Sequence, residues 1–281
     1  MGKFDGVLLV SDFDNTMVYT EGALRSGGEL PLLSRENRAA IEYFMAQGGT
    51  FSVATGRALP SFAAVQPQLP MNGPTVLFNG GAIYDFSRGR YLRTAFLPER
   101  IRLHVRQLLD IMPGLTFEIY HDDNSIHVVR PNEITARHLH LTHSPSVELA
   151  SLDEAPSPIA KLLFEEEPER LRQLESFIRA QDWSREYEIV SSASTLLEIT
   201  AKGANKGGMT AELCRLLCVD PARLYCVGDH ANDIPMLQLA RIPFAPANAI
   251  ESVRSLPGLH LLPDCRENAI AALINELDKH C

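Results

Sequence analysis

The stretch Val7-Leu8-Leu9-Val10-Ser11-Asp12-Phe13-Asp14-Asn15-Thr16 joins an apolar run to two carboxylates that lie two residues apart. The apolar run predicts a buried strand over Val7–Phe13. Asp and Asn are depleted in strands, so we expect the strand to stop at these acids. Ligands of open α/β sheets bind beyond the carboxyl ends of the strands. The stretch therefore indicates a ligand site at Asp12 and Asp14, although a simple turn after a strand has the same pattern.

Three more apolar runs predict strands, at Thr50–Ala54, Thr75–Phe78 and Leu224–Val227. Between the predicted strands, several segments show a helical pattern: Arg35–Gln47, Leu59–Gln66, Lys206–Cys218, Asp233–Leu239 and Asn268–Lys279. Strands that alternate with helices form parallel sheets through right-handed crossovers. The predicted fold class is therefore α/β, with a doubly wound parallel sheet.

The middle of the chain has a different pattern. Leu115–Tyr120 and Ser125–Val129 alternate like antiparallel strands joined by the turn His121-Asp122-Asp123-Asn124. Four further elements are expected there, two helices and two strands: Arg100–Ile111, Glu167–Arg179, Ile159–Phe164 and Glu186–Val190. We predict an α+β insertion, residues 91–190, within a core made of residues 1–90 and 191–281.

Composition restricts the class of protein. The 281 residues suffice for two domains, and 45% hydrophobic with 22% charged residues is typical of globular proteins. No apolar run reaches the ~18 residues of a membrane span. The formal net charge of −9 argues against nucleic acid and anionic membranes as partners. Five cysteines without a Cys-x-x-Cys pair favour a reducing, cytoplasmic location, and the chain is expected to be a monomer or a homodimer.

A series of residues at strand ends and helix starts resembles the motifs of the haloacid dehalogenase superfamily of phosphohydrolases. In chain order, the series is Asp12, Asp14, Thr55, Lys206, Asp229 and Asp233. Asn79-Gly80 after the third strand, followed by a large insertion, resembles the Cof-type (subfamily IIB) branch of sugar-phosphatase-like enzymes. The resemblance extends from about Leu8 to Ala249. It implies a Rossmann-like core, an α+β cap that sets substrate specificity, and a Mg²⁺-dependent hydrolase of phosphate monoesters.

Phosphoryl transfer needs an in-line nucleophile, neutralisation of the phosphoryl oxygens and a proton for the leaving group. Asp12 fits the nucleophile, which would form an aspartyl-phosphate. Asp14 fits the general acid that protonates the leaving oxygen and then activates water. For that role we expect the pKa of Asp14 to be raised towards neutral pH by its crowded surroundings.

The resemblance also implies binding roles. Oxygen ligands suit Mg²⁺, and the implied ligands are the side chains of Asp12 and Asp229 and the backbone carbonyl of Asp14, with Asp233 close by. Asp233 is also a candidate helix N-cap. The implied phosphate and substrate contacts are Phe13 through its backbone N–H, Thr55, Gly56, Arg57, Asn79, Lys206 and Asn232. Without the resemblance, Asn79 is equally a turn residue, Lys206 a solvated lysine, and Arg57 the partner of an acid.

Two residues depart from the family pattern. Asn15 replaces the usual Gly, although the sucrose-phosphatase-like branch also has Asp-x-Asp-Asn-Thr, and Asn tolerates a positive φ. His230 replaces a frequent Ser, and is expected to fill space or to lie near the water shell of the metal. Asn248 resembles the Asn of the Asn-Ala pair that follows the fifth core strand, with an open structural role.

The leading function is hydrolysis of a small organic phosphate, a sugar phosphate or a cofactor phosphate. Narrower alternatives are a sucrose-phosphatase-like sugar phosphatase and a phosphomutase. A different class, a binding or sensor module without turnover, is disfavoured because Asp12 and Asp14 are both present. The residues expected to contact the leaving group from the cap are His121, His127, Arg130, Arg137 and Lys161, each of which is equally a plain surface residue.

Overall fold

The protein is described by a computed structural model that covers residues 2–22, 31–121, 125–142 and 145–280. The predicted turn residues Asp122, Asp123 and Asn124 lie outside this range. In chain order, the strands are β1 (Leu8–Ser11), β2 (Thr50–Val53), β3 (Thr75–Leu77), β4 (Ala82–Asp85), β5 (Arg90–Thr94), β6 (Phe117–His121), β7 (Ile126–Val129), β8 (Val147–Leu149), β9 (Ile159–Glu165), β10 (Tyr187–Ala193), β11 (Leu196–Ala201), β12 (Leu224–Val227), β13 (Ile242–Pro246) and β14 (His260–Leu262). The helices are α1 (Arg35–Ala46), α2 (Leu59–Ala63), α3 (Ile101–Ile111), α4 (Glu133–Thr142), α5 (Pro168–Arg179), α6 (Lys206–Leu217), α7 (Ile234–Leu237), α8 (Glu251–Arg254) and α9 (Ala269–His280).

A five-stranded parallel sheet has the order β14-β13-β12-β1-β2, so the first strand of the chain lies inside the sheet. Side chains of β1 alternate between two hydrophobic clusters. Leu9 packs with residues of α1 and α9, and Leu8 and Val10 pack with residues of α6 and α7. Burial on both faces explains the continuous apolar run of this strand. The predicted α/β class with a doubly wound parallel sheet is confirmed.

The predicted strand at Thr75–Phe78 differs from expectation. Residues Thr75–Leu77 form β3, which pairs antiparallel with β4 in a separate three-stranded sheet, β3-β4-β5. A single parallel bridge, between Ala54 and Val76, connects β3 to the end of β2. The reason lies in the turn: Phe78 and Asn79 have φ of 54° and Gly80 has φ of 103°, so the chain reverses directly after β3.

The insertion contains a six-stranded sheet with the order β10-β11-β9-β6-β7-β8, in which every pair except β7 with β8 is antiparallel. One face of this sheet packs against α3 and α5 through a hydrophobic cluster that includes Phe117, Leu162 and Ile199. The predicted boundary at residues 190 and 191 falls inside β10, and β11 continues the same sheet to Ala201. α4, β8 and β11 were not predicted from the sequence.

The other face of the six-stranded sheet lies against the core. The ring centroid of Tyr120 is 6.0 Å from that of Phe78, and Leu163 packs in the same hydrophobic cluster. Lys161 Nζ lies 3.5 Å from the carbonyl oxygen of Gly56, in the loop after β2. The two parts of the chain therefore meet above the carboxyl ends of the parallel strands. Within the described ranges, no helix has the length and apolar character needed to cross a membrane.

Candidate active site

Three buried carboxylates meet at the carboxyl ends of β1 and β12. The Asp12 N–H donates to the carbonyl of Val227 at 2.9 Å, which prolongs the pairing of these strands by one residue. Asp229 and Asp233 follow β12, and each of the three acids offers a carboxylate oxygen within 4.8 Å of those of the other two. Adjacent parallel strands end at the same edge of a sheet, so residues far apart in sequence come together here.

Lys206 is the cation of this group. Its Nζ lies 2.6 Å from Oδ1 of Asp12 and 2.6 Å from Oδ1 of Asp233. Burial lowers the pKa of Lys206, but the two carboxylates outweigh burial and raise the pKa above its ordinary value. Asn205 caps α6, because its side chain accepts the N–H of Gly208 at 2.8 Å, and the cap fixes where Lys206 starts the helix. Lys206 is therefore not the solvated lysine of the alternative interpretation.

The carboxylates outnumber the positive charge around them. Burial, with the nearby Asp233 and Asp14, raises the pKa of Asp12 to about 7 although Lys206 opposes the shift. Burial, Asp12 and Asp233 raise the pKa of Asp229 to about 9. The hydroxyl of Thr16 donates to Oδ1 of Asp229 at 3.2 Å. An oxygen donor set with excess negative charge fits a hard divalent cation such as Mg²⁺.

Asp233 is held on all sides by donors of the protein. One of its oxygens, Oδ1, accepts from Lys206, and Oδ2 accepts the N–H groups of Asp229 at 2.9 Å and of His230 at 3.0 Å. The bond from the His230 N–H closes the short turn Ala231–Asp233, in which His230 is the N-cap. Asp233 stands at the N-cap position of α7, but its side chain makes no capping hydrogen bond to that helix, so the predicted capping role is wrong. Because its lone pairs are engaged, Asp233 orients Asp229 and Lys206.

Asp14 forms an ion pair that contradicts one expectation. The guanidinium of Arg57 donates to both carboxylate oxygens of Asp14, from Nη2 at 2.7 Å and from Nε at 2.9 Å. Burial alone would raise the pKa of Asp14, but Arg57 outweighs burial and lowers it below the usual value. The predicted raised pKa is therefore wrong for this structure, because a fork-shaped pair with Arg stabilises the charged form. Arg57 also lies over the Phe13 ring, 5.1 Å from its centroid.

The loops after β2 and β3 bring the predicted phosphate-binding residues together. Thr55 is buried, and its Oγ1 accepts the N–H of Arg57 at 3.1 Å. The Asn79 N–H donates to the carbonyl of Thr55 at 3.0 Å, and Asn79 Oδ1 accepts from Asn232 at 2.9 Å. A side chain at Gly56 would place its Cβ 2.9 Å from Nδ2 of Asn79. A larger residue at position 56 would therefore displace the Asn79 side chain from its present position.

Two residues with open roles support the loop that carries Asp14. Asn15 has φ of 58°, and its Oδ1 accepts the N–H groups of Thr20 and Glu21 at 3.1 and 3.0 Å. Asn248 donates to the carbonyl of Asn15 at 2.8 Å and accepts from the N–H of Cys265 at 2.9 Å. Both residues therefore brace the backbone. His230 is half-buried, and burial lowers its pKa, which favours the neutral imidazole.

The residues expected to contact the leaving group are scattered over the insertion. Arg130 and Arg137 are exposed. The imidazole rings of His121 and His127 pack against each other, with 4.9 Å between their centroids. Lys161 contacts the loop after β2 through the Gly56 carbonyl. Sequence reasoning missed Glu198, which lies 3.2 Å from Lys161 and is also buried. A signal was present, since Leu197, Glu198 and Ile199 have the alternation of a strand with one polar face.

Comparisons with known proteins agree with this arrangement. A family model described as haloacid dehalogenase-like hydrolase matches residues 9–274. The chain is 27% identical over 248 residues to the HMP-PP phosphatase of Serratia proteamaculans, covering 84% of this chain and 85% of that protein. It is 24% identical over 291 residues to a 5-amino-6-(5-phospho-D-ribitylamino)uracil phosphatase of Bacillus subtilis, covering 95% and 96% of the two chains. Among solved structures, a sugar phosphatase of haloacid dehalogenase subclass IIB superposes with a TM-score of 0.79 at 20% identity, over 97% of this chain and 99% of that one.

Proposed function

This chain belongs to the haloacid dehalogenase-like hydrolases and is a phosphatase, and we propose that it hydrolyses small phosphate monoesters with Mg²⁺ through an aspartyl-phosphate. One observation carries the proposal. The buried acids Asp12 and Asp229 share a strand-end site with Lys206, which lies 2.6 Å from Asp12. A carboxylate nucleophile, a cation and a metal-binding acid in one place meet the needs of phosphoryl transfer.

We assign the attack on phosphorus to Asp12. A carboxylate oxygen forms the new bond to phosphorus while the bond to the ester oxygen breaks. The ester oxygen takes a proton from Asp14, which then removes a proton from the water that hydrolyses the aspartyl-phosphate. Lys206, the hydroxyl of Thr55, and the backbone N–H groups of Phe13 and Gly56 would stabilise the charge on the phosphoryl oxygens, with Asn79 and Asn232 as further contacts.

Asp14 must carry a proton to act as the acid, and its pair with Arg57 opposes this. A guanidinium binds phosphate oxygens with the same fork geometry that it offers a carboxylate. We propose that Arg57 exchanges Asp14 for the substrate when the phosphate group enters. Loss of Arg57 as a partner would raise the pKa of Asp14 at the moment when the acid is needed.

The metal would be held by the side chains of Asp12 and Asp229 and by the backbone carbonyl of Asp14, with Asp233 orienting them. When bound, Mg²⁺ supplies positive charge that lets a phosphate dianion approach three carboxylates. Within the described residues, Asp12, Asp229 and Asp233 form the group of acids that lies at the strand ends.

We propose that residues from about 91 to Ala201 form a cap that covers the site and selects the leaving group, and that the rest of the chain is the catalytic core. The extent of the six-stranded sheet supports this division, since its strand β11 pairs with β9 and β10 and ends at Ala201. The relatives are named as phosphatases of HMP-PP and of 5-amino-6-(5-phospho-D-ribitylamino)uracil, which supports a small organic phosphate as the substrate class. A cytoplasmic location and a monomeric or dimeric state stay predictions.

The test of this proposal is phosphate release from a panel of sugar phosphates, nucleotides and cofactor phosphates, with p-nitrophenyl phosphate as a general substrate. We expect turnover with Mg²⁺, silence in EDTA, and a fall of kcat to below about 1% in Asp12→Asn, which keeps the shape of the side chain but not the nucleophile. Full activity of Asp12→Asn or in chelator would refute the proposal. Binding of a phosphate ester without release would instead favour the sensor module.

Two alternatives within the enzyme class have their own readouts. A phosphomutase would return the phosphoryl group to a second position of the sugar, which phosphorus NMR of the products detects. A sucrose-phosphatase-like enzyme would prefer a disaccharide phosphate over the monosaccharide phosphates of the panel. Asn15 suggested the second alternative, and its bonds to Thr20 and Glu21 assign it a structural role.

A further inference from the structure

The face of the six-stranded sheet that looks towards the core carries buried charges. Lys161 on β9 and Glu198 on β11 form an ion pair with Nζ 3.2 Å from Oε2, and both residues are less than 5% exposed. Lys161 Nζ also lies 3.5 Å from the Gly56 carbonyl and 4.5 Å from the centroid of the Tyr120 ring. The pair therefore lies directly against the loop that carries Thr55, Gly56 and Arg57.

Glu198 lacks a hydrogen bond at a position where a carboxylate needs one. Glu198 is 4% exposed, and its Oε2 has no hydrogen-bond partner within the described part of the chain. Lys161 is close enough for an ion pair, but its direction does not satisfy this oxygen. A buried carboxylate without donors is costly, so such an oxygen commonly marks the place of a missing donor. A group that enters the interface with a hydrogen-bond donor would satisfy this oxygen.

The surrounding charges determine what this donor can be. Glu118 and Glu165 lie on both sides of His138, whose Nδ1 is 3.0 Å from one carboxylate and 3.2 Å from the other. The hydroxyl of Tyr120 also donates to Glu118. Three carboxyl groups, Glu118, Glu165 and Glu198, thus meet two cationic side chains, Lys161 and His138. Against the effect of burial, Glu118 and Glu165 raise the pKa of His138 to about 10. Carboxyl groups therefore outnumber cationic side chains on this face of the sheet, while burial and Glu118 raise the pKa of Glu165.

We propose that the Lys161–Glu198 pair recognises the leaving group of the substrate. The pair favours a leaving group that presents an amino group to Glu198 and disfavours a leaving group that presents a carboxylate. This inference rests on the proposed phosphatase function and deepens it. An ammonium supplies the donor that Oε2 of Glu198 lacks and brings a positive charge to the carboxyl groups. A hydroxyl supplies the donor without the charge. A carboxylate adds a fourth carboxyl group to a buried interface.

The test uses two substrate series in which only one group changes: phosphoethanolamine, hydroxyethyl phosphate and phosphoglycolate, and then glucosamine 6-phosphate, glucose 6-phosphate and 6-phosphogluconate. In at least one series we expect kcat/KM to fall from amine to hydroxyl to carboxylate, by about 10-fold or more in total. Glu198→Gln should bring the kcat/KM values of the amine and the carboxylate substrates to within about 2-fold of each other, because the amide carries no charge. Lys161→Met should instead increase the preference in kcat/KM for the amine over the carboxylate substrate, since Glu198 then lacks its cation.

Controls separate this inference from its premise. Glu169→Gln makes the same chemical change on α5, where Glu169 is exposed, and should leave the ratios unchanged. Thermal unfolding checks that each variant is folded, and p-nitrophenyl phosphate reports on the chemical step. The same series is also titrated by calorimetry into Asp12→Asn with and without Glu198→Gln. If none of the substrates is hydrolysed, the phosphatase proposal fails. The order of the calorimetric affinities then still tests the proposed preference for an amino group. A flat order in both series, or an order that survives Glu198→Gln, overturns it.

Discussion

The guanidinium of Arg57 donates to both carboxylate oxygens of Asp14, at 2.7 and 2.9 Å. Two consequences follow from this pair. The acid proposed for catalysis is held in its charged form, and the cation proposed to bind substrate is already occupied. The Asp14–Arg57 pair is therefore neutral in itself, and a phosphate group competes with Asp14 for Arg57.

Replacing Arg57 should raise the pKa of Asp14. In Arg57→Met, burial acts on Asp14 without the opposing cation, so carbon NMR titration of its labelled carboxyl in the metal-free protein should show a higher midpoint than in the wild type. Arg57→Lys keeps the charge but not the fork and should show an intermediate midpoint. An unchanged midpoint in Arg57→Met would mean that the pair does not control this acid.

Cation affinity should rise with pH. In the metal-free site the pKa of Asp12 is about 7 and that of Asp229 is about 9, so a cation that needs both carboxylates must displace protons. Between about pH 6 and about pH 9 we expect tighter Mg²⁺ binding and proton release, measured by calorimetry in buffers of different ionisation enthalpy. Asp229→Asn should lose most of the affinity. Binding that is independent of pH would contradict the assignment of these acids as ligands.

Replacing Lys206 should destabilise the fold as well as stop turnover. Lys206→Met leaves the buried acids Asp12 and Asp233 without their cation, which costs about 3–5 kcal/mol of unfolding free energy near neutral pH. The loss should shrink in acid, where these carboxyls take up protons. Urea unfolding at several pH values measures both effects. Lys202→Met is the matched control, because Lys202 is exposed and lies four residues away, and it should change stability by less than about 0.5 kcal/mol.

His138 should stabilise the cap in a pH-dependent way. Burial opposes its charged form, but Glu118 and Glu165 raise the pKa of His138 from 6.5 to about 10. Its contribution is therefore fully present below about pH 6.5 and is lost as the pH rises through about 10. Comparing His138→Gln with wild type, we expect the difference in thermal midpoint to be largest at the lowest of these pH values. The exposed Arg137 on the same helix provides the control variant Arg137→Gln, with a difference that should be small at every pH.

Gly80 should be needed for the position of Lys206. Its φ is 103°, and a Cβ there would lie 2.2 Å from the backbone carbonyl of Asn205, the N-cap of α6. Gly80→Ala should push this helix start away from Asp12 and lower kcat more than 10-fold, about 1.4 kcal/mol of transition-state stabilisation. Gly89→Ala is the control, since Gly89 also has a positive φ, 62°, but no neighbour within 4 Å of the added Cβ. Equal activity of the two variants would refute the steric argument.

The sequence was most informative where a local pattern is compatible with a single structure. The apolar run of β1 predicted a buried strand because both of its faces pack against helices. The pattern was less informative at β3, where an apolar run suits a parallel and an antiparallel strand equally. There the turn at Phe78, Asn79 and Gly80, all with positive φ, makes the strand antiparallel. Short edge strands such as β8 and β14 carry too few residues for a readable period.

The sequence by itself determined the order of the motifs, the fold class and the acids at the strand ends, because these depend on local hydrophobic pattern and on chemistry that few residue types supply. The tertiary structure alone decided which charges pair. Asp14 was expected to be a crowded acid, and the approach of Arg57 made it a stabilised carboxylate. Glu198 gave no sign of function until the antiparallel pairing of β11 with β9 placed it beside Lys161. Electrostatic partners are set by distances between segments that are remote in the chain, and no local pattern encodes those distances.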